Sequence, residues 1–331
     1  MSITVVVVDS LEDLGADEFH ALDDTVGALG SRGRLMQHTG DPRWEARYVV
    51  ALDGDRLVAA VPIFLGHGDQ WSDQIHFPAD WGYDGPLAQE KSALVGGRLE
   101  IRGSLRCVDS PDVLRAVSEV CRSQVVGREV FLGYLDPRQQ RLAEALFGPV
   151  RWTVQYEDFD YPRPVVLGPL ADLRREVRQA IRHGERKIAE FGVSASVVPW
   201  SEYTGTGCDL IAAQNKRKGM TDHGALVRYR LDQWAACEEV SVFIVHATMG
   251  DEEGAVSLLV YRDEVEVYEV GLPEGDGAAR RTLYTCLTFD EPRRLAREHG
   301  YRKIRAGLGA GVPKKIRGAQ PTLRGCGVVL P

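Results

Sequence analysis

At 331 residues the chain is too long for one ordinary core and suits two domains. Its 44% hydrophobic and 27% charged residues describe a soluble globular protein rather than a disordered one, and no apolar run reaches the roughly 18 residues that span a bilayer. The formal net charge of −8 argues against a dedicated DNA- or RNA-binding domain, yet the charge is uneven: residues 1–169 hold 16 Lys/Arg against 26 Asp/Glu, and residues 170–331 hold 24 against 22. An anionic ligand or partner is therefore expected at the second half.

In chain order, Ile3 to Val8 reads as an opening β-strand rather than a signal peptide, because no basic segment or cleavage site accompanies it. Arg47–Leu52 and Arg56–Leu65 flank Asp53-Gly54-Asp55, a strong hairpin signal. Trp71 and the run Phe77-Pro-Ala-Asp80-Trp81-Gly82-Tyr83-Asp84-Gly85-Pro86 concentrate aromatics, acids and turn residues. They read either as a packed aromatic loop or as an acceptor pocket lined by Trp71 and Tyr83, with Asp80 or Asp84 pairing a cationic amine. Amphipathic helices are expected over Pro111–Arg122 and Arg138–Leu146.

A basic helix over residues 170–191 opens the second half, ended by Gly192. Arg174, Arg178, Arg182 and Arg186 recur every four residues beside an apolar face of Leu173, Val177, Ile181 and Ile188. Like charges at that spacing destabilise a helix by about 0.2–0.5 kcal/mol per pair. Arg174 and Arg178 have no acid three or four residues away, so compensation must come from a phosphate-bearing donor, an anionic acceptor or the carboxylates of the first half.

Asp209–Lys218 reads as a helix whose basic end, Lys216 and Arg217, either favours the helix dipole or meets a ligand. A second hairpin joins Ser241–Thr248 to Ala255–Tyr261 through Met249–Gly254, and the strand Glu264–Val270 follows. Strict alternation puts Glu269 with Val265 and Val267 on the apolar face. Desolvation there raises a carboxyl pKa and suits it to accept a proton from an amine; a bulge before Gly271 would return it to water instead. Gly271–Arg281 carries Gly275, Gly277 and the basic pair Arg280 and Arg281, and a helix over Gly277–His299 is interrupted at Pro292. The tail Gly307-Leu-Gly-Ala-Gly-Val-Pro313-Lys314-Lys315-Ile-Arg317-Gly318 follows a strand at Lys303–Ala306, but Pro313 and the missing βαβ context exclude a dinucleotide fingerprint.

Both halves thus repeat the order helix, hairpin, strand, helix, strand. The basic helix, the second hairpin with its long helix, the lysine-bearing tail and the segment Ala46–Ile63 together resemble the tandem GNAT-fold acyltransferases of the Fem-like group, the aminoacyl-tRNA-dependent peptidyl ligases and their relatives. The resemblance implies an α/β protein of two tandem GNAT-like modules, each a mixed, mostly antiparallel sheet flanked by helices. Residues 1–169 form an acidic module on the acceptor side and residues 170–331 a module on the donor side. Lys314 or Lys315 corresponds to the group's lysine beside the transferred acyl group, with Glu269 as proton acceptor. Gly275, Gly277, Arg280, Arg281, Arg317, Lys216 and Arg217 are the donor-binding candidates.

The activity implied is acyl transfer from aminoacyl-tRNA to a nitrogen nucleophile of a small molecule or peptide. Direct attack is expected because no Ser-His-Asp or Cys-His set argues for a covalent intermediate. Acyl-CoA is the alternative donor, its case weakened by two acids in the glycine-rich loop, and a non-catalytic binding module is a further alternative. No permanently bound cofactor is expected. The eight histidines include no His-Glu-x-x-His and the six cysteines no Cys-x-x-Cys, so neither a metal site nor a disulfide framework is expected. Reduced thiols fit a cytoplasmic biosynthetic enzyme without DNA or membrane partners.

Overall fold

The computed structural model describes residues 3–275 and 277–330. Met1 and Ser2 before the opening strand, Asp276 of the glycine-rich loop and Pro331 lie outside them. The chain divides into two compact units, Met1–Glu157 with Leu323–Pro331, and Asp158–Thr322.

In the first unit the elements are β1 (Ile3–Val8), α1 (Ala16–Leu22), α2 (Arg32–Gln37), β2 (Trp44–Asp53), β3 (Arg56–Gly66), β4 (Ser92–Val95), α3 (Pro111–Gln124), β5 (Glu129–Leu135), α4 (Pro137–Phe147) and β6 (Val150–Tyr161), which runs past its end. β1 to β4 pair antiparallel in sequence order and β4 pairs parallel with β5. Asp53 pairs with Arg56, leaving Gly54-Asp55 as a two-residue turn with Gly54 at φ +62°, the conformation that such hairpins demand and glycine adopts freely. Val49, Ile63 and Leu132 from the sheet meet Val117 of α3 and Leu142 of α4 in one core.

The second unit continues with α5 (Arg163–Val166), α6 (Arg175–Glu190), β7 (Ser194–Pro199), α7 (Gly207–Arg217), α8 (Gly224–Ala235), β8 (Val240–Met249), β9 (Glu252–Tyr261), β10 (Glu264–Gly271), α9 (Ala278–Thr285), α10 (Glu291–His299), β11 (Lys303–Leu308), α11 (Gly311–Lys315) and β12 (Gln320–Val329). β7 to β10 again pair antiparallel in order and β10 pairs parallel with β11, whose other edge takes Asp158–Tyr161 of β6. The same strand-helices-hairpin-strand-helix-strand plan therefore occurs twice. Met249 pairs with Glu252, so the second hairpin turns on Gly250-Asp251 and β9 starts earlier than its composition suggests. Pro292 sits in the first turn of α10, after a π-helical turn at Cys286–Asp290, which explains the interruption.

Charge placed the division at residue 169, but packing places it differently. Phe159 and Tyr161 at the end of β6, with Val165 and Val166, already belong to the second core with Ile181, Leu258 and Leu283. The basic helix α6 accordingly lies inside the second unit rather than opening it. At the other end, Gly325, Gly327 and Val328 pair antiparallel with β5, and Val329 packs against the first core.

Candidate functional site

The chemistry gathers at the carboxyl ends of β10 and β11, where ligands of open sheets commonly bind. These parallel neighbours pair from Glu264–Glu266 to Lys303–Arg305. β10 nevertheless continues to Gly271 and β11 to Leu308, so the two strands part before they end. On its other edge β10 slips register between Val267 and Glu269, making Tyr268 the extra residue of a bulge. Ser257 pins it: its Oγ accepts from Glu269 N at 3.1 Å and donates to Glu269 O at 3.3 Å.

The bulge corrects the expected position of Glu269. Val265 and Val267 face the core that holds Leu283 and Leu287, as alternation requires. Tyr268 and Glu269 both turn to the opposite side, where Tyr268 lies edge-on to Trp234 of α8 at 5.6 Å and Glu269 meets Arg230 of the same helix. The carboxylate does not return to water, since only 15% of its side chain is exposed. Arg230 Nη2 donates to Glu269 Oε1 at 2.9 Å and to Asp222 Oδ2 at 2.6 Å, and Asn215 Nδ2 donates to Asp222 Oδ2 at 2.9 Å. Glu269 Oε2 is shielded from solvent and has no hydrogen-bond partner of good geometry among the described residues. Burial pushes the Glu269 carboxyl above the ordinary range; the Arg230 charge opposes this without cancelling it. Asp222 is held low despite its own desolvation, because Arg230, Asn215 and the His223 N–H all stabilise its charge.

The donor-loop candidates form a second group. Gln214 Oε1 of α7 accepts from Arg217 Nη2 at 2.9 Å and from Arg280 Nη2 at 3.0 Å. Arg217 also donates to Leu272 O, and Arg280 to Pro273 O. Both guanidiniums thereby brace the loop through its carbonyls, which leaves their charges largely unneutralised. Glu274, 3.7 Å from Arg217, is almost fully exposed. Gly275 is left-handed with φ +79°, and Gly277 is the N-cap of α9 with no side-chain cap. Lys216 and Arg281 are exposed.

The tail separates its two lysines. Lys314 is 5% exposed and its Nζ donates to Gly307 O and Leu308 O, each at 2.9 Å, while lying 5.3 Å from the centre of the Phe159 ring. It fastens α11 to the end of β11. Lys315 is exposed and approaches the same ring at 5.5 Å. Arg317 is tied to Pro313 O at 2.8 Å and Thr285 Oγ1 at 2.9 Å, which joins the tail to α9.

In the first unit, Trp71 Nε1 donates to Asp73 O at 2.8 Å and His76 O at 2.9 Å, and its ring packs edge-on to Trp44 and Phe131. Tyr83 donates to Glu129 and rests on Phe131. Asp80 and Asp84 are exposed. Trp71 and Tyr83 are thus engaged in packing, and the two acids remain open to solvent.

Arg230, Asp222, Asn215 and Gln214 were not anticipated. A signal for α8 exists, in Val227, Leu231 and Trp234 at helical spacing after His223, whose ring caps Leu226 N. The bulge that delivers Glu269 to Arg230 carries no such signal.

No family model matches the chain, and no curated protein matches its sequence. Solved structures do match its fold. A conserved protein of unknown function from Bacteroides thetaiotaomicron VPI-5482 is 14% identical, with 99% of this chain and 100% of that one covered, at a TM-score of 0.58. FemX is 10% identical, with 100% and 98% covered, at 0.57. A tandem GNAT protein from the clavulanic acid biosynthesis pathway is 12% identical, with 99% and 98% covered, at 0.55. At such identities the likeness speaks for the fold, and the chain is accordingly an α/β protein of two tandem GNAT-like modules, each a mixed, mostly antiparallel sheet flanked by helices.

Proposed function

We propose that the chain is an acyltransferase that moves an aminoacyl group from aminoacyl-tRNA to a nitrogen nucleophile of a small molecule or peptide. The observation that carries this reading is Glu269: a largely buried carboxylate with a raised pKa and one oxygen that lacks a hydrogen bond of good geometry among the described residues, delivered by a strand bulge beside the gap between β10 and β11. The nitrogen lone pair forms a C–N bond at the ester carbonyl carbon. Glu269 takes the nitrogen's proton directly or through one water. The tetrahedral oxyanion then collapses, the C–O bond to the terminal ribose breaks, and the leaving ribose oxygen recovers the proton. Arg230 keeps Glu269 ionised enough to act and fixes its orientation.

Arg217, Arg280 and the uncapped start of α9 surround the glycine-rich loop with positive potential, which suits a phosphate-bearing donor. This same loop favours acyl-CoA as the second reading, because glycines at a helix N-terminus let a backbone approach a pyrophosphate closely. Resemblance to the Fem-like group supports tRNA.

Donor identity is tested by incubating the protein with labelled aminoacyl-tRNA and labelled acyl-CoA in the presence of candidate amines, with and without RNase. Transfer abolished by RNase is the expected result. Transfer from CoA that survives RNase would replace the tRNA reading, and no transfer from either donor by folded protein would favour a binding module.

A further inference from the structure

On α6 the buried side is Val177, Ile181 and Gly184. Opposite it, at 3.6 residues per turn, Arg175, Arg182 and Arg186 fall within about 40° of one another. All three are exposed, as is Arg174 at the N-cap. None of these four side chains has a hydrogen-bond or ion-pair partner among the described residues. Arg178 behaves differently, bending back to donate to Ala171 O at 2.9 Å and Leu173 O at 3.2 Å. No ion pair of these four with a carboxylate appears among the described residues of their own unit, and the mutual repulsion of the arginines is left standing there. The open surface beside them is formed by Gln179, Arg182, His183, Glu185, Arg186 and Ala189 of the same helix. Its one acid, Glu185, leans toward Arg293 at 3.9 Å.

We infer that this face of α6 grips the sugar-phosphate backbone of the RNA donor, away from the reacting ester. The inference rests on the aminoacyl-tRNA reading above and gives its body a second contact. Guanidiniums in a row that make no ion pair of their own are suited to phosphates, which they can meet bidentately. An anionic membrane fits less well. A helix that lies on lipid needs apolar side chains beside its cations, and here the apolar side is spent on the core.

The test uses the full chain and the triple variant Arg175→Gln/Arg182→Gln/Arg186→Gln, whose lost side chains leave no partner behind. Deacylated tRNA is titrated at several salt concentrations, and transfer is compared between aminoacyl-tRNA and a short 3′-aminoacylated oligonucleotide. The variant is expected to bind tRNA more weakly, with a log Kd against log salt slope shallower by about 2–3, from roughly 0.7–0.9 per lost phosphate contact. Its transfer from the short oligonucleotide should be unchanged, while the KM for full tRNA rises. Equal tRNA affinity and salt slope in both proteins would overturn the inference. So would binding to anionic phospholipid vesicles that the variant loses while keeping tRNA binding. Absence of transfer from any aminoacyl-RNA, with tRNA binding still lost in the variant, would sink the donor reading and leave this surface standing.

Discussion

At the residue scale the proposed chemistry rests on Glu269 and on Arg230, whose guanidinium favours the ionised carboxylate. Arg230 lowers the Glu269 pKa against the larger opposing effect of burial. Removing the guanidinium while keeping the volume, as in Arg230→Met, should raise that pKa further. Activity that needs the ionised carboxylate is lost as pH falls through it, so the acidic limb of the kcat/KM profile should move to higher pH. An unmoved limb would separate Glu269 from the proton transfer. The tail lysines make a second prediction. Lys314→Ala strips two buried carbonyls of a charged donor and should cost about 3 kcal/mol in denaturant unfolding. Lys315→Ala should leave stability within about 0.5 kcal/mol, as exposed substitutions usually do, so a rate loss in that variant alone would place Lys315 at the reacting group. Sequence supplied both lysines but not which was buried, since that depends on where the carbonyls of Gly307 and Leu308 end up.

Among the elements, the π-helical turn between α9 and α10 has the clearest pH signature. Asp290 ends that turn, with Oδ2 buried and unpartnered, and burial pushes its pKa up to about 7 while Arg317 opposes the rise. A carboxyl whose folded pKa lies above its unfolded value contributes stability that is fully present below the unfolded value of 3.8 and is lost as pH rises through about 7. Denaturant curves at pH 5 and pH 8 should therefore show a larger drop for the wild type than for Asp290→Asn, which stays neutral throughout. Equal drops would place the charge in a better solvated setting. Elements with strong local signals were readable in advance: the Asp-Gly turn of β2–β3, the helix start at Pro111 and the stop at Gly192 all occur as their chemistry suggests. A bulge before Gly271 was open as an alternative to strict alternation, but its outcome was not legible: Ser257 on the neighbouring strand holds it, and Arg230 rather than water receives Glu269.

At the scale of the whole molecule, the repeated plan was visible as two hairpins with flanking helices, but its boundaries were not. β6 is one continuous strand of 12 residues whose last four belong to the second unit, and the chain's final strand ends in the first unit. Charge bias marks neither event. The bias does have a place in the structure, where α6 presents its unpaired arginines, and no helix of the described residues is long and apolar enough to cross a membrane. The proposed catalysis depends on Glu269 receiving the proton of an attacking nitrogen. The most direct measurement is single-turnover aminoacyl transfer by the wild type and Glu269→Gln at matched donor occupancy. Loss of a general base typically costs about 10²–10⁴-fold. The account predicts a fall of that size in the transfer rate with donor affinity unchanged; a Gln variant that transfers as fast as the wild type would contradict it.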